Sequence, residues 1–496
     1  MAPSITYRST RGGATGLSFE QAVFEGLAPD GGLMVPETVP DVSATYKSWS
    51  KLSFHELAFE VASLFCSTDE VPAEDLRSLM QRSYKTFDHE DVVPSIKVND
   101  LYVMELFHGP TFAFKDVALQ ALGNLYEYFL KRNGKRLTVL GATSGDTGGA
   151  AIYGMRGKEN VDCFILFPEG RVSHIQQQQM TSVLDDNVHC VAIKGTFDDC
   201  QDIVKELFAD LDFKKAYGLG AVNSINWARI MFQITYYFYT YFKLFPSCNG
   251  EISFSVPTGN FGDILAGYYA RRMGLPIKHL IVATNSNDIL HRFFTHGKYD
   301  KYPVKQTMSP SMDIGISSNF ERYLYDLFNH DAARLSKAML DFKSTGKLHV
   351  EGEELKRAQR DFASACATEK HQAETIRQYQ DKFNYTLCPH TACGISAAEQ
   401  LRGSLKWASL RNHEMVVLGT AHPGKFADNV IETTGVQVKL PPALDALMTA
   451  KTRFQVLNNS SDEVRHAIES TVQGGLLSLL PSSLWTLIRK LPCCQR

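Results

Sequence analysis

Ile252-Ser253-Phe254-Ser255-Val256-Pro257-Thr258-Gly259-Asn260-Phe261-Gly262-Asp263 is an apolar strand, a glycine-rich turn and the start of a helix predicted over 263–273. The order recurs upstream, where LTVLGA (137–142) runs into Gly141-Ala142-Thr143-Ser144-Gly145-Asp146-Thr147-Gly148-Gly149 and then a helix. Further strands are expected at 163–167, 188–194, 279–284 and 415–419. Helices are expected at 198–210 and 226–244, and at 116–132, where Val117, Ala118, Ala121, Leu122, Leu125 and Phe129 share one stripe. Strand–helix alternation of this kind reads as an α/β fold with parallel sheets. The polar break PSCNGE at 246–251 is the expected boundary between two lobes, and the charged stretch 351–382 reads as a solvent-facing helix pair. The last 55 residues differ in character, ending in an apolar segment broken by Pro481.

At roughly 150 residues per domain, 496 residues make about three units, or two large lobes and an appendage. With 44% hydrophobic and 21% charged residues, the chain can bury a core. Lys+Arg 51 against Asp+Glu 54 leaves a net charge of −3, which argues against nucleic acid as a partner but permits a local anion pocket. Ten scattered cysteines fit free thiols in a reducing compartment. There is no apolar signal segment and no run near the ~18 residues of a membrane span, so a cytoplasmic protein without a membrane partner is expected.

Four places could carry chemistry. Gly259, Asn260, Phe261, Gly262 and Asp263 could offer backbone N–H groups to a phosphate at a helix start, although an ordinary turn capped by Asp263 has the same composition. The Gly141–Gly149 turn, with Ser144, Asp146 and Thr147, is polar and concave enough to accept a carboxylate or a ring hydroxyl. Lys115 lies in His108-Gly109-Pro110-Thr111-Phe112-Ala113-Phe114-Lys115-Asp116, where aromatic neighbours could desolvate an amine. Lowering such a pKa from about 10.4 to near 7 takes about 4–5 kcal/mol, a cost that suits a nucleophile. Asn223, Ser224, Asn226 and Arg229 precede or open a helix in which Arg229 sits against the macrodipole, and a bound anion would remove that conflict. Cys388, His390 and Cys393 offer too few ligands for structural zinc, so no metal is expected. Tyr239 and Lys243 nominally match a short-chain oxidoreductase pair, but they lie in a strongly apolar helix and the glycine spacing is not that of a dinucleotide site.

As a set, these motifs resemble the pyridoxal-phosphate enzymes of the tryptophan-synthase-β fold type, and within them the long fungal and bacterial threonine synthases. The resemblance rests on Tyr7-x-Ser9-Thr10-Arg11-Gly12, GLAPDGGL (26–33), HGPTFAFKD, SGDTG, NSINWAR, PTGNFGD, SPSMDI (309–314), PHTA (389–392) and GTAHP (419–423). It spans roughly residues 5–435 and departs from the family pattern at Gly424 and Cys393. It implies fold type II, with an N-terminal domain at 1–95, α/β lobes at 96–245 and 246–440, and an extension at 441–496 with no quotable family pattern and no assigned role. It further implies that Lys115 forms the Schiff base with pyridoxal 5'-phosphate and that Gly259, Asn260, Phe261, Gly262 and Asp263 cradle the cofactor phosphate. Asp146 would lie near the ring hydroxyl, and Thr420 would meet the pyridine nitrogen and leave it uncharged. Ser144 and Thr147 would hold the substrate carboxylate; Asn223, Ser224, Asn226 and Arg229 would hold the phosphate of O-phosphohomoserine. The implied activity is threonine synthesis by a monomer or homodimer. The alternative is a related phospho-lyase, or a paralogue from a specialised pathway, acting on the same or a similar amino acid.

Overall fold

The computed structural model describes residues 5–143, 145–404, 407, 409–410 and 413–478. Among the described residues two compact units arise: 5–125 with 223–446, and 126–222 with 447–478. The first holds a six-stranded sheet in the order Ala363–Cys366, Ile277–Thr284, Ile252–Pro257, Glu414–Gly419, Leu101–Glu105 and Ser95–Val98. Only the last pairing is antiparallel. The second holds five parallel strands in the order Gln455–Asn458, Val188–Lys194, Val161–Pro168, Leu137–Ala142 and Leu219–Gly220.

The division differs from the one expected at 246–251. That segment is a turn inside the first unit, closed by Cys248 N–H on the Phe245 carbonyl and by the Tyr241 hydroxyl on the Gly250 carbonyl. The helix Trp227–Leu244 before it and the helix Gly262–Arg272 after it pack together, so a polar loop joins neighbours here. The N-terminal residues also belong to this unit. Phe54 packs edge-on against Tyr84 and Tyr239, and Trp49 packs against Phe238.

Two further expectations are corrected. The charged stretch 351–382 holds the helices Gly352–Asp361 and Glu369–Phe383, but Ala363–Cys366 between them is an edge strand of the first sheet. Its short run of small residues is masked by polar flanks. In the C-terminal extension, Gln455–Asn458 adds a strand beside Val188–Lys194, and Val464, Ile468 and Val472 of the next helix join the second unit's core.

Burial around the Trp227–Leu244 helix traps a carboxylate. Tyr236 and Tyr237 donate to Asp263 Oδ1 at 2.5 and 2.9 Å, and burial pushes the Asp263 carboxyl up to about 7. Because the folded pKa is raised, the native state binds the extra proton between about pH 4 and pH 7, and this group's contribution to stability falls as pH rises through that window. Asp263→Asn should therefore gain thermal stability relative to the parent as pH rises from 5 to 8. Paired melting curves that stay parallel across that range would refute the assignment.

Candidate active site

Lys115 opens the helix Lys115–Asn133 and is 9% exposed, with its Nζ 5.5 Å from the centroid of the Phe114 ring. The loop before it is stitched from two sides. The Asp116 carboxylate accepts from Thr111 N–H (2.8 Å) and the Thr111 hydroxyl (2.6 Å), and the Lys425 ammonium donates to the Thr111 carbonyl (2.8 Å). Phe114 N–H donates to the Thr420 carbonyl (2.9 Å), and His422 N–H donates to the Phe112 carbonyl (3.0 Å). Gly109 is required here, because a Cβ would stand 2.5 Å from the Asp116 side chain.

Topology explains this convergence. Ile252–Pro257, Glu414–Gly419 and Leu101–Glu105 are adjacent and parallel, so the 258–263 turn, Thr420 and the Lys115 loop all leave the same carboxyl edge. Ligand sites of parallel sheets form at such edges.

The 259–263 turn fits a phosphate. Its carbonyls are held from behind: Gly259 by the Ser317 hydroxyl (2.7 Å), and Asn260 by Asn319 through its N–H (3.1 Å) and its side-chain amide (2.9 Å). Among the described residues, the N–H groups of Gly259, Asn260 and Phe261 donate to no protein acceptor. A Cβ on Gly259 would crowd the Met312 Cα and the Ser311 carbonyl at 3.2 Å. Phe261 takes a left-handed φ of 61°, a cost of roughly 1–2 kcal/mol for a side-chain-bearing residue. Its ring is anchored among Phe294, Phe320, Tyr323 and Phe362. The helix begins at Gly262, and the Asp263 carboxylate turns to the tyrosines rather than capping it.

In the 223–229 segment, Ser224 Oγ meets Ser318 Oγ at 2.9 Å and Asn223 Oδ1 accepts from Ile225 N–H. Arg229 is buried in the first turn of its helix. Asn226 departs from the expected role as a side-chain ligand. Its Oδ1 caps the helix at Ala228 N–H, and its Nδ2 donates to the Val23 carbonyl (2.7 Å).

In the second unit, Thr143 Oγ1 accepts from Gly145 and Gly148 N–H and shapes the glycine turn. Gly145 has φ +148°, and Asp146 Oδ1 accepts from Gln176 Nε2 at 3.0 Å. Thr147 is half-buried, and Ser144 lies outside the described residues.

The discounted sets have other employment. Cys388 contacts Thr391, His390 Nε2 accepts from Ser311 N–H, and Cys393 contacts Ser309. Tyr239 and Lys243 both bind Asp91. Sequence reasoning missed Thr143, Ser317, Asn319, Arg322 and Lys425. Ser317, Asn319 and Arg322 follow the SPSMDI motif without a chemical pattern of their own, and Lys425 lies two residues past the GTAHP motif.

Comparison with known proteins agrees with this architecture. The family model "Threonine synthase N terminus" matches residues 6–84, "Pyridoxal-phosphate dependent enzyme" matches 88–409, and "Threonine synthase, C-terminal" matches 391–468. The last match corrects the expectation that nothing beyond 440 carries a family pattern. The chain is 50% identical to a threonine synthase of Schizosaccharomyces pombe, covering 86% of this chain and 88% of that one. A crystal structure of pyridoxal-phosphate-bound threonine synthase from Brucella melitensis superposes with a TM-score of 0.90 at 46% identity, covering 94% and 99% of the two chains. The yeast threonine synthase structure gives 0.89 at 45% identity, covering 95% and 99%. No helix among the described residues is long and apolar enough to cross a membrane. The chain belongs to the pyridoxal-phosphate-dependent enzymes of the tryptophan-synthase-β fold type and, within them, to the threonine synthase family.

Proposed function

We propose that the chain converts O-phospho-L-homoserine and water to L-threonine and phosphate in the cytoplasm, as a monomer or homodimer. The observation that carries this reading is the convergence of a buried lysine, a donor-rich glycine turn and Thr420 at one sheet edge. When bound, pyridoxal phosphate supplies the electron sink for loss of protons from the substrate carbons.

The chain's own groups place the reactants and move protons. Backbone N–H groups of 259–263 would hold the cofactor phosphate, and the Thr420 hydroxyl would meet the ring nitrogen without charging it. Asp146 is assigned the ring hydroxyl, and Ser144 and Thr147 the substrate carboxylate. Asn223, Ser224 and Arg229 take the substrate phosphate, while Asn226 serves them by fixing the helix start. The Lys115 amine anchors the cofactor. When free, it would exchange protons with the substrate one at a time, the two taken from Cα and Cβ going back to Cγ and Cα, while water divides into the Cβ hydroxyl and a proton for the departing phosphate.

Purified wild-type protein should release threonine and phosphate in equal amounts from O-phosphohomoserine; 2-oxobutyrate as the main organic product would favour the lyase reading instead. Lys115→Ala should still bind the cofactor but lose its lysine-dependent visible band, with turnover falling by roughly 10³-fold. An unchanged spectrum defeats the assignment. Arg229→Met should raise KM for O-phosphohomoserine by about 100-fold while cofactor affinity changes little. Equal losses in both would make Arg229 structural.

A further inference from the structure

Arg322 and Asn319 are fully buried, and the helix Phe320–Leu327 begins immediately after Asn319. The Arg322 guanidinium donates to the Met34 carbonyl (2.9 Å), to Asn319 Oδ1 (2.5 Å) and to the Ile225 carbonyl (2.6 Å). A guanidinium only donates, so the amide atom of Asn319 facing it must be the oxygen. The amide nitrogen is thereby turned to the other side. There it donates to the Asn260 carbonyl (2.9 Å) and to the Ser224 carbonyl (3.1 Å). One side chain thus bonds both turns assigned to phosphate binding.

Peptide planarity gives these bonds a directional effect. The C=O and N–H of a trans peptide point in opposite directions. Fixing the Asn260 carbonyl on Asn319 aims the Phe261 N–H the opposite way. The Ser317 bond to the Gly259 carbonyl does the same for Asn260 N–H, and the Arg322 bond to the Ile225 carbonyl does it for Asn226 N–H.

We propose that Asn319, locked by Arg322, is a positioning residue that sets the aim and spacing of both anion sites, the cofactor turn at 259–263 and the substrate turn at 223–229. This deepens the proposed function and rests on its assignment of those turns. Neither residue is assigned a ligand contact in this proposal. Their part is to hold the backbone donors of the cofactor turn and the side chains that open the substrate helix in a geometry complementary to two phosphates at once, so loss of the link should be felt at both sites together.

Asn319→Asp tests this. It retains an acceptor for Arg322 and turns an oxygen, with no proton to donate, toward the Asn260 and Ser224 carbonyls. The dissociation constant for pyridoxal phosphate, read by titrating its visible band, and the KM for O-phosphohomoserine should each rise about 10-fold. At saturation kcat should stay within about 3-fold, and the melting temperature should stay within ~4 °C. Asn319→Ser removes the same donors without adding a charge and should shift the same two constants, and it carries the test should the aspartate variant fail to fold. Ser317→Ala, which frees only the Gly259 carbonyl, should move the cofactor constant alone. The inference is overturned if either Asn319 variant folds and leaves both constants unchanged, or moves only one of them. Wild-type product analysis keeps the two readings apart. If wild type makes threonine and the paired shift is missing, the positioning role falls and the proposed function stands. If wild type makes none, the proposed function falls, and the coupling is still read from the cofactor constant and from the response of the visible band to inorganic phosphate.

Discussion

A guanidinium buried at Arg322 is the constraint from which the geometry of the first unit follows. Removing such a cation from water costs several kcal/mol, and burial pulls its pKa down to about 10, which still leaves it charged at neutral pH. The charge is tolerated because carbonyl oxygens from an N-terminal strand and from the 225 turn, with the amide oxygen of Asn319, surround it. None of these segments can shift without leaving a buried cation short of acceptors. Three stretches distant in sequence are therefore held in one fixed relation.

Carboxylates close to anion-binding turns would oppose an incoming phosphate, and the fold deals with two of them by burial. Asp116, next to Lys115, is held by Thr111 and pushed up to about 6; Asp263, in the first helical turn after the glycines, is held by two tyrosines. Both side chains point at neutral donors, and near neutral pH each carries less than its full charge on average. The glycine turn thus keeps the favourable polarity of a helix start despite the acidic residue written into it.

Local patterns in the sequence located elements that carry their own signal. The strand Leu137–Ala142 and the helix Trp227–Leu244 emerge within a residue of expectation, because apolar periodicity and flanking turns mark them. The edge strand Ala363–Cys366 was hidden, since four small residues between charged helices have no alternation to read. The lobe boundary was misplaced because loop polarity reports exposure, whereas membership of a unit depends on which helices pack together. For the site, the lysine and both glycine turns were legible as motifs. Asn319 and Arg322 were not, because an amide and a guanidinium acting on distant carbonyls leave no local trace. Asn226 suits a ligand by residue type, and only its contacts with Val23 and Ala228 show its other use.

The second unit is assembled from the middle and the end of the chain, with Gln455–Asn458 laid against Val188–Lys194. During synthesis on the ribosome, the backbone of Val188–Lys194 emerges more than 250 residues before the strand that covers it. For that interval the nascent sheet presents a bare hydrogen-bonding edge, the kind of surface that pairs with other chains. Growth of the polypeptide must therefore reach Gln455–Asn458 before this half of the molecule is protected, and a chain cut short of those residues would keep the edge bare.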